Sequence, residues 1–500
     1  MQVSKAGGGI LSSTTAGISL MAAGLLLIPL NIRTVGADSY GVWIAMSVMA
    51  TYLYYSDLGI GAAIIHFGSR SRSGLSVLTP TGLLSSGVAW NAAVSVIIVP
   101  VYILGVDYFM DSKFIDAEIS NSDQTSLKIA GVMLLSAIII KPFESALIGA
   151  GYMNYERRNQ VAGAIMRVAG TVVACIVFGT VVAIAIAEAV ALVTPPILSA
   201  VLVSGTGTVR LRIREVRFST LKEMFHFSSR AFATGAVGAL ILQAGTVMAA
   251  YVGSPSDVTY FTAAFRLYSS VRQIISWITE PFRPLMSRIW TTDPEKAKSF
   301  ILSYLLAATF VASVGCLALM YGAEDIIRLW LGESAPTHSV AATLIVLLIG
   351  LMLNIVHIPL VPALDGAGRP GAYLPLQILW LALYVLIGLT AGRALGIVGI
   401  AIGLTLPLIV LEPLYLIKAN RTLNFGVQRW MREVLLPVGA IAASGAILTL
   451  SLRAMFEEFG LITSDLVISF IFGSLSITLL VVFRQRAGVN RLISALKVEL

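Results

Sequence analysis

Val172-Val-Ala-Cys-Ile-Val-Phe-Gly-Thr-Val-Val-Ala-Ile-Ala-Ile186 contains no charged side chain and a single hydroxyl, that of Thr180. Widening the window to residues 161–203 adds only two charges, Arg167 and Glu188. A helix rises about 1.5 Å per residue, so about 20 apolar residues cross the hydrocarbon core of a bilayer. The stretch therefore reads as two membrane-crossing helices, 161–180 and 183–203. Runs of the same kind recur at 21–30 and 94–104 and along the rest of the chain.

The same window predicts fourteen spans. Six lie at 8–30, 40–65, 75–104, 128–150, 161–180 and 183–203. Six more lie at 224–252, 260–282, 300–321, 340–362, 372–392 and 395–417. The last two lie at 434–455 and 461–483. Of 500 residues, 57% are hydrophobic and 12% charged, against about 25% charged in an average soluble chain. So little polar surface excludes a soluble enzyme, and the expected class is an all-α polytopic membrane protein. Residues 1–30 hold an apolar stretch too long for a signal peptide and read as a retained first span.

The net charge of +8 follows topology rather than nucleic-acid binding. Lys and Arg concentrate in cytoplasmic loops. With a cytoplasmic N-terminus, 23 of the 34 basic residues fall on that side. Arg33, Lys113, Lys128, Arg328, Arg393 and Arg453 fall opposite, and five lie within spans. Both termini are expected to be cytoplasmic. The basic loop around Arg210–Lys222 divides the first twelve spans equally, a plan common among secondary transporters that bind substrate between halves. The expected organisation is a six-helix lobe over 1–205, a connector over 206–223 and a second six-helix lobe over 224–418. Two additional helices follow over 433–483, then a basic tail over 484–500 whose spacing fits an amphipathic surface helix.

Ionisable residues inside spans are the sharpest functional signal, because each costs roughly 2.5–3.5 kcal/mol at mid-bilayer on insertion scales. The basic ones are Lys141, Arg167, Arg230, Arg266 and Arg272; the acidic ones are Asp57, Glu144, Glu188 and Glu280. Arg167 and Arg230 lie near enough to an end to snorkel, and Lys141 and Glu144 are spaced to neutralise each other on one helix. Arg266, Ser270, Gln273, Trp277 and Glu280 recur at helical spacing, which places one polar stripe on a single helix. Such a stripe packs against polar neighbours or lines an aqueous path, and the charges in neighbouring spans favour the path. A wet, net-cationic site suits phosphate, whose oxygens match guanidinium forks. Carboxylates among these charges could bind a coupling ion, or simply pair with Arg.

Other chemistries find no footing. His66, His226, His338 and His357 are scattered, and Cys175 and Cys316 sit in apolar runs, so no metal site is expected. Gly7-Gly8-Gly9 lacks the context of a nucleotide loop, and no cofactor is expected. The longest outer loop, 105–127, is acidic and too short to fold as a catalytic domain.

Gly36-Ala-Asp-Ser-Tyr40-Gly41-Val-Trp43, then Tyr52, then Asp57-Leu58-Gly59-Ile60-Gly61 resembles the first hairpin of bacterial polysaccharide flippases. These form the oligosaccharidyl-lipid branch of the multidrug/oligosaccharidyl-lipid/polysaccharide (MOP) exporter superfamily. Pro281-Phe-Arg-Pro284-Leu-Met-Ser287 and Asp365-Gly-Ala-Gly368-Arg369-Pro370 resemble that family's cytoplasmic junctions. The resemblance implies a V-shaped pair of lobes around a cationic lumen of alternating access. It implies that undecaprenyl-pyrophosphate-linked oligosaccharides are flipped across the bacterial cytoplasmic membrane, with polymerase and chain-length proteins as possible pathway partners. The basic lumen pattern carries onto Lys141, Arg167, Arg230, Arg266 and Arg272. Three alternatives stand beside it: a drug or cation antiporter of the same superfamily, a peptidoglycan lipid-precursor flippase, and a membrane glycan polymerase or ligase. The first would want an acid in span 1, which has none, and the last a substantial outer loop.

Overall fold

The computed structural model describes residues 3–451 except 73–77, 115–118, 207–208, 280–285, 287–288, 291, 356, 370, 425 and scattered positions after 436. Among the described residues the regular structure is helical throughout. The chain parts into two compact units between Thr259 and Tyr260.

The first unit holds α1 (Val3–Val35), α2 (Ala37–Tyr54), α3 (Ile60–Arg72), α4 (Pro80–Lys113), α5 (Asn121–Gly149), α6 (Met153–Val173), α7 (Val181–Thr206) and α8 (Phe218–Val252). Helix starts carry their own signals. Thr79 Oγ1 accepts the Gly82 N–H ahead of Pro80, and Ser120 Oγ accepts that of Asp123, each satisfying a donor that has no intrahelical partner. The expected span 40–65 is broken. Leu58 and Gly59 take left-handed φ values of +51° and +79°, which an α-helix cannot continue, and Asp57 Oδ1 accepts the Gly59 N–H at 3.2 Å to hold the turn. Helix α8 packs against α2, α3 and α4, so the first unit extends one helix beyond the basic connector.

Helix α9 (Pro255–Thr279) begins in the first unit and runs into the second. There follow α10 (Pro294–Tyr321), α11 (Ala323–Leu331), α12 (Thr337–Leu353), α13 (His357–Gly366), α14 (Leu374–Leu395), α15 (Ile397–Thr405) and α16 (Leu408–Leu423). Asp293 caps α10 through the Lys296 N–H, with Pro294 at its first position. Helices α12 and α13 together cover the expected span 340–362 but bend by 40° at their junction.

The interior is largely apolar, but the outward face is not that of a soluble protein. Ile176, Val96 and Leu104 are 77%, 74% and 69% exposed, while Ser86, Asn91, Asn159 and Ser199 are buried. Large apolar side chains facing outward belong in hydrocarbon. By length and composition seven helices can cross a membrane among the described residues, or nine if two bent pairs each count as one. The chain is an all-α polytopic membrane protein. Helices α1, α2, α3 and α9 stand outside that count; α3 is short because of the break at Asp57–Gly59, and α9 carries Arg266 and Arg272. Most of the last two expected spans and the basic tail lie outside the described residues.

Candidate functional site: charged clusters within the helices

In the first unit the intramembrane charges gather in three clusters. Lys141 on α5 reaches Asp57 Oδ2 at 3.0 Å, and its ammonium stands 4.5 Å from the centre of the Tyr54 ring, within cation–π range. One turn along α5, Ser145 lies so close to α3 that a Cβ on Gly61 would come within 2.8 Å of its hydroxyl. The glycine lets α3 approach, and the approach brings Asp57 to Lys141.

The second cluster joins three helices. Arg167 on α6 donates to Glu188 Oε1 on α7 at 2.8 Å, while the Trp43 indole N–H on α2 donates to Glu188 Oε2 at 2.8 Å. Both carboxylate oxygens are therefore engaged. The third cluster lies around Gln160 on α6, whose amide donates to Glu144 at 3.1 Å and to Glu156 at 3.2 Å. Glu156 also has Arg157 Nε at 3.6 Å. Lys141 thus makes its ion pair with Asp57 across two helices, and Glu144 turns to the amide of the next helix.

The second unit contributes α9. Phe261, Ala264, Tyr268, Val271 and Ile275 are buried along one face, while Arg266 and Ser270 are half-buried and Gln273 is exposed. The expected stripe is thus away from the packed face as far as it is described. Trp277 is described in its backbone alone, and Glu280 lies outside the described residues. Ser270 satisfies its hydroxyl on the Arg266 carbonyl one turn back, at 2.8 Å. Arg266 and Arg272 are six positions apart, hence about 120° apart around the helix. Arg272 therefore leaves the stripe and lies near His357 and Tyr268, close enough to act on both electrostatically. Among the described residues it has no carboxylate in ion-pair contact. Arg230 sits on α8, its side chain outside the described set.

Beside Arg272 stands a cluster absent from the expected site. The first main-chain N–H of α13, that of His357, donates to Glu412 Oε1 on α16 at 2.9 Å, so a carboxyl from a distant helix caps α13. The His357 ring stacks on Tyr373 at 4.8 Å and meets the Tyr415 ring edge-on at 4.1 Å. Among the described residues, Glu412 Oε2, His357 Nδ1 and the Tyr415 hydroxyl are buried without a hydrogen-bond partner. The signal was available: Glu412 is an acid within the expected span 395–417, and His357 lies within 340–362.

Against known proteins, residues 130–335 match a family model described as polysaccharide biosynthesis protein. The lipid II flippase MurJ, in an inward closed conformation, superposes with a TM-score of 0.69 at 13% identity, over 95% of this chain and 98% of that one. An inward-facing multidrug resistance MATE transporter of the MOP superfamily gives 0.61 at 17% identity, over 83% and 95%. This chain has the MOP exporter fold. An outward-facing MATE structure gives 0.53 at 17%, over 84% and 98%. No curated protein matches the sequence.

Proposed function

We propose that this MOP-fold protein flips undecaprenyl-pyrophosphate-linked oligosaccharide repeat units outward across the bacterial cytoplasmic membrane, with both termini in the cytoplasm. The observation that carries the reading is Arg272. It is a guanidinium about two turns before the end of a helix of membrane-spanning length, half-buried, and without a carboxylate in contact among the described residues. Leaving such a cation in an apolar setting is costly unless it meets an anion during function, and a diphosphate fits the guanidinium fork. The match of residues 130–335 to a polysaccharide biosynthesis family supports a glycan cargo. Arg266 supplies a second cation on the polar stripe. Lys141 and Arg167 are engaged with Asp57 and Glu188, so in this reading they meet substrate only by exchanging one anion for another. The lipid tail keeps the cargo in the bilayer, and the assembled glycan passes to polymerase and chain-length proteins of the same route.

A second reading is a peptidoglycan-precursor flippase, favoured by the superposition on MurJ over 95% of the chain. The two share a polyprenyl diphosphate headgroup and divide on the sugar. The test is export in cells and flipping in vesicles. Arg272→Ala and Arg266→Ala are each expected to abolish glycan export while the protein inserts normally. Wild-type export by both variants overturns the cationic mechanism, and flipping of the peptidoglycan precursor but not of a repeat unit selects the second reading.

A further inference from the structure

We propose that Glu412 and His357 form a proton-binding site within the second unit, with the proton carried on Glu412 Oε2. The inference deepens the flippase reading by naming an ion site, and rests on that reading only for its role in transport. Its basis is geometric. Glu412 is 7% exposed and His357 5%. One carboxyl oxygen is committed to the His357 main-chain N–H at 2.9 Å; the other meets no donor among the described residues.

An ionised carboxylate with one hydrogen bond in apolar surroundings is a high-energy arrangement, and such groups neutralise instead. The N-terminus of α13 pulls the other way, because its free N–H groups favour a negative charge. That pull is the weaker of the two, since a helix end contributes less than the effective desolvation penalty of a buried ion. A neutral acid keeps the cap, because its carbonyl oxygen still accepts the His357 N–H, and it leaves no buried charge on the unpartnered Oε2. The helix end lowers the cost of ionising Glu412 without outweighing burial, so the group rests protonated and still has a route to release its proton.

The surroundings fit a proton better than a metal ion. The walls are rings: His357 is stacked on Tyr373, edge-on to Tyr415, and 6.5 Å from Trp380. A hard cation would want several oxygens, and one of the two carboxyl oxygens is already spent on the cap. The charged and titratable groups around Glu412 are His357 on α13, Tyr373 at the start of α14, and Tyr415 on its own helix. Lys418 and Arg421 lie further along α16, and Arg272 on α9 acts on His357. Helix α15 carries no ionisable residue, and α12 carries only His338 at its exposed start. In transport, a proton on Glu412 is a positive charge that can cross against the outgoing diphosphate.

The experiment is infrared difference spectroscopy on the full purified chain at neutral pH, wild type minus Glu412→Gln. The expected result is loss of a neutral carboxylic-acid carbonyl band that shifts in heavy water. A difference holding only ionised-carboxylate bands overturns the proposal. Should Glu412→Gln fail to fold, His357→Phe keeps the main-chain cap and a stacked ring while removing the imidazole. It is expected to shift the acid band, and an unshifted spectrum overturns the proposal equally. No glycan or transport enters the measurement, so failure of the flippase reading leaves this result standing.

Discussion

Arg167 and Glu188 meet at 2.8 Å between α6 and α7, and the second oxygen of the same carboxylate holds the Trp43 indole of α2 at 2.8 Å. Glu188 is therefore the hub, with a side chain only 11% exposed against 29% for Arg167. Removing it strands a largely buried guanidinium and an indole N–H together. Glu188→Ala is expected to cost about 3 kcal/mol, the lower end for breaking a buried pair because Arg167 retains some solvent. Trp43→Phe removes one hydrogen bond to a charged acceptor and is expected to cost about 1.5–3 kcal/mol. Thermal unfolding in one detergent orders the two; equal stability of Glu188→Ala and wild type would show that Arg167 snorkels freely.

Lys141 and Asp57 predict a different signature, because their bond crosses the break between α2 and α3. Lys141→Met leaves Asp57 buried without its cation, and Asp57→Asn leaves Lys141 with an amide. Each single change is expected to destabilise by about 3 kcal/mol, and the double variant Asp57→Asn/Lys141→Met to recover most of it, since two neutral side chains need no mutual compensation. Additive losses in the double-mutant cycle would mean that the 3.0 Å contact contributes nothing. If Lys141 also meets the cargo, the stable double variant still exports poorly.

The number of apolar runs and the placement of charges made the fold class and most helices legible in the sequence. What hid was anything decided by two left-handed residues or by contacts between distant segments. The span expected over 40–65 breaks because Leu58 and Gly59 leave the helical region, and Leu58 gives no compositional warning of that. Lys141 and Glu144 are spaced to neutralise each other, and a bend between α2 and α3 also brings Asp57 to the ammonium, a contact that helical spacing does not reveal. Arg266 and Arg272 were readable as charges in one helix, but their separation around its axis decides that only Arg272 lies by His357. Glu412 is hidden in another way: a single acid in a strongly apolar run acquires meaning only when α13 is seen to start upon it.

Gly41, in the hairpin motif, sits where α2 meets the start of α9. A Cβ there would run into the main-chain carbonyl of Pro255 and the Thr259 hydroxyl. Backbone cannot yield as a side chain end can, so Gly41→Ala is expected to cost about 1–3 kcal/mol through overpacking. Gly205→Ala, where a Cβ meets nothing within 4 Å, is the control and is expected to leave stability unchanged. Comparable melting of both variants would remove the steric explanation for the glycine in Tyr40-Gly41.

The proposed cargo makes outward flipping electrically favourable. A diphosphate diester carries about two negative charges, and each leaving a negative interior gains roughly 2.3 kcal/mol per 100 mV, so the total bias is about 4–5 kcal/mol per 100 mV. In the proposed mechanism the cations of α9 shield the headgroup during passage, but they belong to the protein and so do not cancel the charge finally moved. Vesicles bearing a potassium gradient with valinomycin set the potential at will. An interior-negative potential is expected to drive labelled repeat units to the outer leaflet, and reversing its sign to retain them inside. A proton exchanged on Glu412 would add one further charge to each cycle and steepen that dependence, and Glu412→Gln would return it to the two-charge slope. A leaflet distribution indifferent to the sign of the potential would mean that the transported species is not a net anion, and the role given to Arg272 would go with it.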